Sequence, residues 1–153
     1  MTRPRYETAE DLRKEKLVAQ LFSQNYVGST LFKMPDSYHL DFLVKVKHEA
    51  RAAMEVKCRK ITFGQYDTII LSLLKWKAGL EFERLGLGFL ISFALEDGIY
   101  LYRHLAEHTI TEMNIQFRGR TISHRDSADT EPMVNIKTEW LTKYSEINVH
   151  KSE

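Results

Sequence analysis

The alternation of apolar and polar residues changes period several times along the chain. Residues 1–7 carry no apolar repeat and read as a loose arm. From residue 8 to about residue 24, Leu17, Val18, Ala19, Leu21 and Phe22 fall on one face at 100° per residue, which predicts an amphipathic helix. Thr8 takes the N-cap position, Glu10 and Asp11 are acidic in the first turn, and Asn25 and Gly28 mark the end. The period then drops to two. Residues 29–34, 38–46 and 51–58 read as strands, with Pro35-Asp36-Ser37 as a turn and Lys47-His48-Glu49 as a hairpin connection. Residues 65–84 read as a long helix, apolar over most of its circumference through Ile69, Ile70, Leu71, Leu73, Leu74, Trp76, Leu80 and Phe82. Its polar stripe is Gln65, Thr68, Ser72, Lys75 and Glu83, and Gly86 and Gly88 close it. A helix of this kind is buried on most sides, as one packed on a sheet is.

Residues 89–94 and 99–104 read as two more strands, joined through Asp97-Gly98, a strong turn signal. Beyond residue 104 the pattern is less regular. Residues 111–117 and 133–136 read as strands, 118–130 as a polar loop, and 140–144 as the last ordered segment. The order of helix, three strands, helix and two strands predicts an α/β fold with a mixed central sheet flanked by helices. At 153 residues a single domain is expected, with its core at about 8–104 and an extension at 105–153.

Composition narrows the setting. Hydrophobic residues make up 43% and charged residues 28%, enough apolar material for a packed core. The formal net charge is +1, so any grip on nucleic acid must come from local basic clusters. One cysteine, Cys58, excludes an internal disulfide and fits a reducing compartment. The charged N-terminus has no apolar signal core, and the apolar run at 69–74 is too short to span a bilayer. These features predict a soluble, cytoplasmic protein. A nucleotide-hydrolysing phosphate loop is missing, His104 and His108 lie in a strand-to-loop stretch unsuited to zinc, and no His or Asn is placed to activate Cys58.

The chemistry concentrates in the second hairpin. If residues 47–49 close it, residue 43 faces 53 and Asp41 faces Glu55, with β-carbons about 4.5–5.5 Å apart. Glu55 and Lys57 share parity and point to the same side of the sheet. Leu40, Phe42, Met54 and Val56 are apolar and are expected on the opposite face. Two facing carboxylates repel unless a cation joins them, and hard carboxylate oxygens suit magnesium. A lysine two residues on can act on a water or on phosphate charge, which completes the parts for metal-assisted phosphodiester hydrolysis. The plain alternative is a solvated hairpin face in which the three residues are cross-strand salt-bridge partners.

Asp41 with Glu55-Val56-Lys57 resembles the motif of the PD-(D/E)xK nuclease superfamily, and the element order over residues 8–104 resembles that family's restriction-endonuclease-like core. The literal Pro-Asp pair stands elsewhere, at Pro35-Asp36, which the hairpin register leaves as a turn. The resemblance implies that Asp41 and Glu55 hold Mg²⁺, or Mn²⁺ in its place, and that Lys57 acts on water and phosphate. Holliday-junction resolvases in the superfamily add a glutamate from the first helix; Glu15 fits that place as a further metal or water ligand. Some relatives use a glutamine near the metal-bound water, a role that falls to Gln65 here. Arg59 and Lys60, Lys75, and Arg118 with Arg120 are the basic residues expected to meet phosphates without reading sequence. The function implied is a DNA endonuclease acting on branched DNA, working as a homodimer because cutting two strands needs two sites. The alternative is a non-catalytic nucleic-acid-binding or assembly module on the same scaffold.

Overall fold

A computed structural model describes residues 8–111, 114–118 and 131–151. Helix α1 (Ala9–Asn25) starts at a capping box. The Thr8 hydroxyl accepts from Asp11 N at 3.1 Å, and the Asp11 carboxylate accepts from Thr8 N at 3.1 Å. Strands β1 (Ser29–Lys33), β2 (Phe42–Val46) and β3 (Glu49–Cys58) follow, with one 3₁₀ turn (Asp36–Tyr38) between β1 and β2. Then come β4 (Thr68–Ser72), α2 (Leu73–Arg84), β5 (Gly88–Leu95), β6 (Gly98–Arg103), β7 (Ile115–Arg118), β8 (Glu131–Lys137) and β9 (Leu141–Ser145).

The main sheet has six strands in the order β1-β2-β3-β5-β6-β9, and β3 and β5 form its one parallel pair. A parallel neighbour requires a crossover, and β4 with α2 supplies it. A second sheet, β4-β8-β7, is antiparallel. Each face of the main sheet has its own core. Val18, Leu21 and Phe22 of α1 pack against Phe42, Val44, Met54 and Val56 on one side. Trp76 of α2, with Ile69, Leu71, Val134 and Ile136 of the small sheet, packs against Ala53, Ile91 and Phe93 on the other. Leu40, expected beside Phe42, belongs instead to the α2 side, because the chain turns through a left-handed His39 before β2 begins.

The segment read as the start of a long helix is divided differently. Residues 68–72 are strand β4, with Ile69 and Leu71 buried and their neighbours half-exposed, and helix α2 begins only at Leu73. The apolar run Ile69-Ile70-Leu71 satisfies both periods, and its β-branched residues favour the strand once β8 is there to pair with it. Ser72 then caps α2, its hydroxyl accepting from Leu74 N at 3.2 Å.

The second hairpin also departs in detail while keeping its register. Lys47 and His48 both have positive φ (51° and 69°), so the loop is a two-residue turn of the type that matches strand twist. Val46 therefore pairs with Glu49 and Lys45 with Ala50, but Arg51 is an extra residue, and Val44 pairs with Ala52. That bulge restores the pairing Leu43–Ala53 and Phe42–Met54, the same register a three-residue loop would give. No helix among the described residues is long and apolar enough to cross a membrane.

Candidate active site

The site lies where β2 begins and β3 ends. Asp41 sits one residue before β2, directly beyond the Phe42–Met54 pair. Its Oδ2 accepts a hydrogen bond from Val56 N at 2.8 Å, so the side chain takes over where the β2–β3 ladder stops. Glu55 projects from the buried part of β3 and is 2% exposed. Its Oε2 lies 3.4 Å from Lys57 Nζ, and its Oε1 lies 3.6 Å from Lys75 Nζ without a hydrogen-bond partner. Lys75 comes from the first turn of α2 and also donates to the carbonyl of His39. Glu15 of α1 and Lys33 at the end of β1 complete the surround: the Lys33 ammonium is paired with Glu15 and lies 3.3 Å from Asp41 Oδ1.

These groups line a cleft of about 450 Å³ that contains Glu15, Asp41, Glu55, Lys57, Arg59 and Lys75, together with Asp11, Val56 and Cys58. Four carboxylates face three cations there. The balance at Glu55 shows which effect wins. Burial first, and then the adjacent Asp41 charge, push its carboxyl up to about 8, although Lys57 and Lys75 both pull it down. Two lysines at 3.4 and 3.6 Å do not repay the desolvation of this carboxylate. A buried oxygen with no donor, beside a second carboxylate, is a position a divalent cation fits. No group of three His, Cys, Asp or Glu side chains among the described residues forms a complete cage. Magnesium does not need one, since it is commonly held by one or two carboxylates, with waters and substrate phosphates filling the other positions.

The remaining predicted residues divide. Lys75, expected as a phosphate contact, stands within the cleft, and so does Arg59, whose Nη1 donates to Cys58 O at 3.1 Å. Lys60 is exposed just beyond β3 and does not line the cleft. Gln65 is not at the start of a helix. It is exposed in the loop before β4, and its side chain accepts from Thr62 N at 3.2 Å, outside the cleft lining. Asp36 lies in the 3₁₀ turn, also outside the cleft lining. Arg118 ends β7, paired in register with Glu131; Arg120 lies outside the described residues. Burial pushes the Cys58 thiol up, away from thiolate chemistry. His104 lies 2.7 Å from Glu83, and His108 stacks on Trp140, so both histidines are engaged in packing.

Lys33 carried no signal in the strand alternation. The signal that places it is the first hairpin: Lys33 pairs with Phe42, which puts its side chain one position from Asp41. A larger groove of about 870 Å³ between α1 and β1 shares Glu15 with the cleft and also includes Lys33.

Among solved structures, Hjc from Archaeoglobus fulgidus, a Holliday junction resolvase, is similar at 13% identity and a TM-score of 0.43, over 81% of this chain and 95% of that one. No curated protein matches the sequence. The family described as "Phage putative PDDEXK endonuclease" matches residues 1–144, nearly the whole chain, and this protein belongs to that family.

Proposed function

We propose that the cleft hydrolyses phosphodiester bonds of DNA and that it does so with a divalent cation, Mg²⁺ or Mn²⁺ in its place. The observation that carries this reading is the meeting of Asp41 and Glu55 at a buried position, with one Glu55 oxygen lacking any donor and Lys57 3.4 Å from the other. Asp41 and Glu55 would hold the ion, which supplies Lewis-acid polarisation of the phosphate and an acidified water.

The chain's own residues do the rest. The Val56 N–H fixes the Asp41 carboxylate, leaving the backbone of β3 to set its distance from Glu55. Lys57 shares the face of Glu55, where its ammonium can steady a water or the charge developing on phosphate. Lys75, anchored on the His39 carbonyl, adds a second positive charge on the α2 side, and Arg59 adds a third at the end of β3. Both suit contacts to non-bridging phosphate oxygens, which position a strand without reading its bases.

Branched DNA is the first substrate class to examine, because the described residues contain no separate module for reading sequence. A homodimer follows from the need for two sites to cut two strands. The test is to incubate the protein with four-way-junction, supercoiled and linear DNA in Mg²⁺, in Mn²⁺ and in EDTA. Cutting that needs the metal, and is fastest on the junction, supports the reading. Junction binding with no cutting in either metal points instead to a non-catalytic binding module.

A further inference from the structure

Lys33 occupies the place between two of the site's carboxylates. Its ammonium pairs with Glu15 Oε1, lies 3.3 Å from Asp41 Oδ1, and stands over the Phe42 ring, 5.4 Å from its centroid. Glu15 and Asp41 come from different elements, α1 and the entry to β2, and their side chains are only 13% and 17% exposed. Without an intervening cation these two carboxylates would repel across a partly desolvated gap. Glu55 differs: its Oε1 lies 3.6 Å from Lys75 but has no hydrogen-bond donor. Lys33 thus bridges Glu15 and Asp41, whereas among the described residues no one cation lies within 4 Å of both Asp41 and Glu55.

We propose that Lys33 is a built-in counter-cation that takes the place of a second divalent ion between Glu15 and Asp41, so that the site binds one ion, on Asp41 and Glu55. This rests on the reading that Asp41 and Glu55 hold a metal. Lys33 is in this account a positioning residue. It ties α1 to the β2 entry and holds Oδ1 of Asp41, so that the one ion is bound between Asp41 and Glu55.

The experiment counts Mn²⁺ ions bound to the full chain without DNA, by calorimetry and by the loss of the free-ion paramagnetic resonance signal. Wild type, Lys33→Met, Lys33→Arg, Lys33→Met/Glu15→Gln and Glu55→Ala are compared, with circular dichroism confirming that each is folded. Met keeps an unbranched side chain of similar length and removes the charge. The proposal expects one ion in wild type and Lys33→Arg, two in Lys33→Met, and one again in the double variant. Two ions in wild type, or one in Lys33→Met, overturns it and leaves the metal reading intact. No ion in wild type, or unchanged binding in Glu55→Ala, overturns the metal reading and the proposal with it.

Discussion

The side chain of Asp41 accepts the backbone N–H of Val56 at 2.8 Å, in the middle of the Glu55-Val56-Lys57 triplet. The two oxygens of this carboxylate are therefore used differently: Oδ2 closes the ladder, and Oδ1 lies 3.3 Å from the Lys33 ammonium. Asp41→Asn keeps an acceptor for Val56 and loses the charge. It is expected to fold with stability within about 1 kcal/mol of wild type and to lose cleavage about 100-fold or more. Asp41→Ala strands a partly buried N–H as well and should cost a further 1–3 kcal/mol or so. Urea denaturation beside single-turnover cleavage checks both.

Lys57 and Lys75 flank the two oxygens of Glu55, yet only Lys57 shares its strand and parity. Lys57→Met is expected to lower the rate of the chemical step about 100-fold or more while DNA affinity changes little. Lys75→Met should act mainly on substrate binding, weakening it and reducing its salt dependence by one phosphate contact. Affinity measured across a salt series, alongside single-turnover rates, separates the two.

The convergence of Asp41, Glu55 and Lys57 was legible because strand parity and hairpin register are strict. A slip of one residue would turn Glu55 and Lys57 to the α1 face. The register survived a wrong loop length, since the two-residue turn and the Arg51 bulge together consume the same residues as a three-residue loop. Helix α1 was legible from Thr8 and its apolar face. Strand β4 was not, because Ile69-Ile70-Leu71 fits both periods and only pairing with β8, more than sixty residues away, decides between them. Gln65 was misplaced with that helix. Lys33 was hidden because its role depends on two other elements meeting it.

The raised Glu55 carboxyl ties stability to pH. The folded protein holds this proton more tightly than the unfolded chain, at about 8 against 4.5. Glu55 therefore contributes stability fully below about pH 4.5, and loses it as pH rises through 8. In EDTA, wild type should weaken across this window by more than Glu55→Gln does, and thermal melts from pH 5 to 9 compare them. Divalent-ion affinity should rise over the same window, because binding must displace the proton.

Gly79 brings α2 against β5. A β-carbon there would stand 2.4 Å from the ring of Phe89, which is fully buried. Gly79→Ala gains up to about 1 kcal/mol of helix propensity but overpacks the core by about 1–3 kcal/mol. The expected outcome is a lower melting temperature, measured by circular dichroism. A higher one would mean that Phe89 can move without cost.

The central claim is that Glu55, with Asp41 and Lys57, forms a hydrolytic site. The most direct measurement is the single-turnover cleavage rate of a four-way junction in Mg²⁺ by wild type and by Glu55→Gln, which keeps the side chain's shape and removes its charge. The expected result is a folded variant that still binds the junction and cuts it at least about 100-fold more slowly. Equal rates in the two proteins, or wild-type cutting that persists in EDTA, would contradict it.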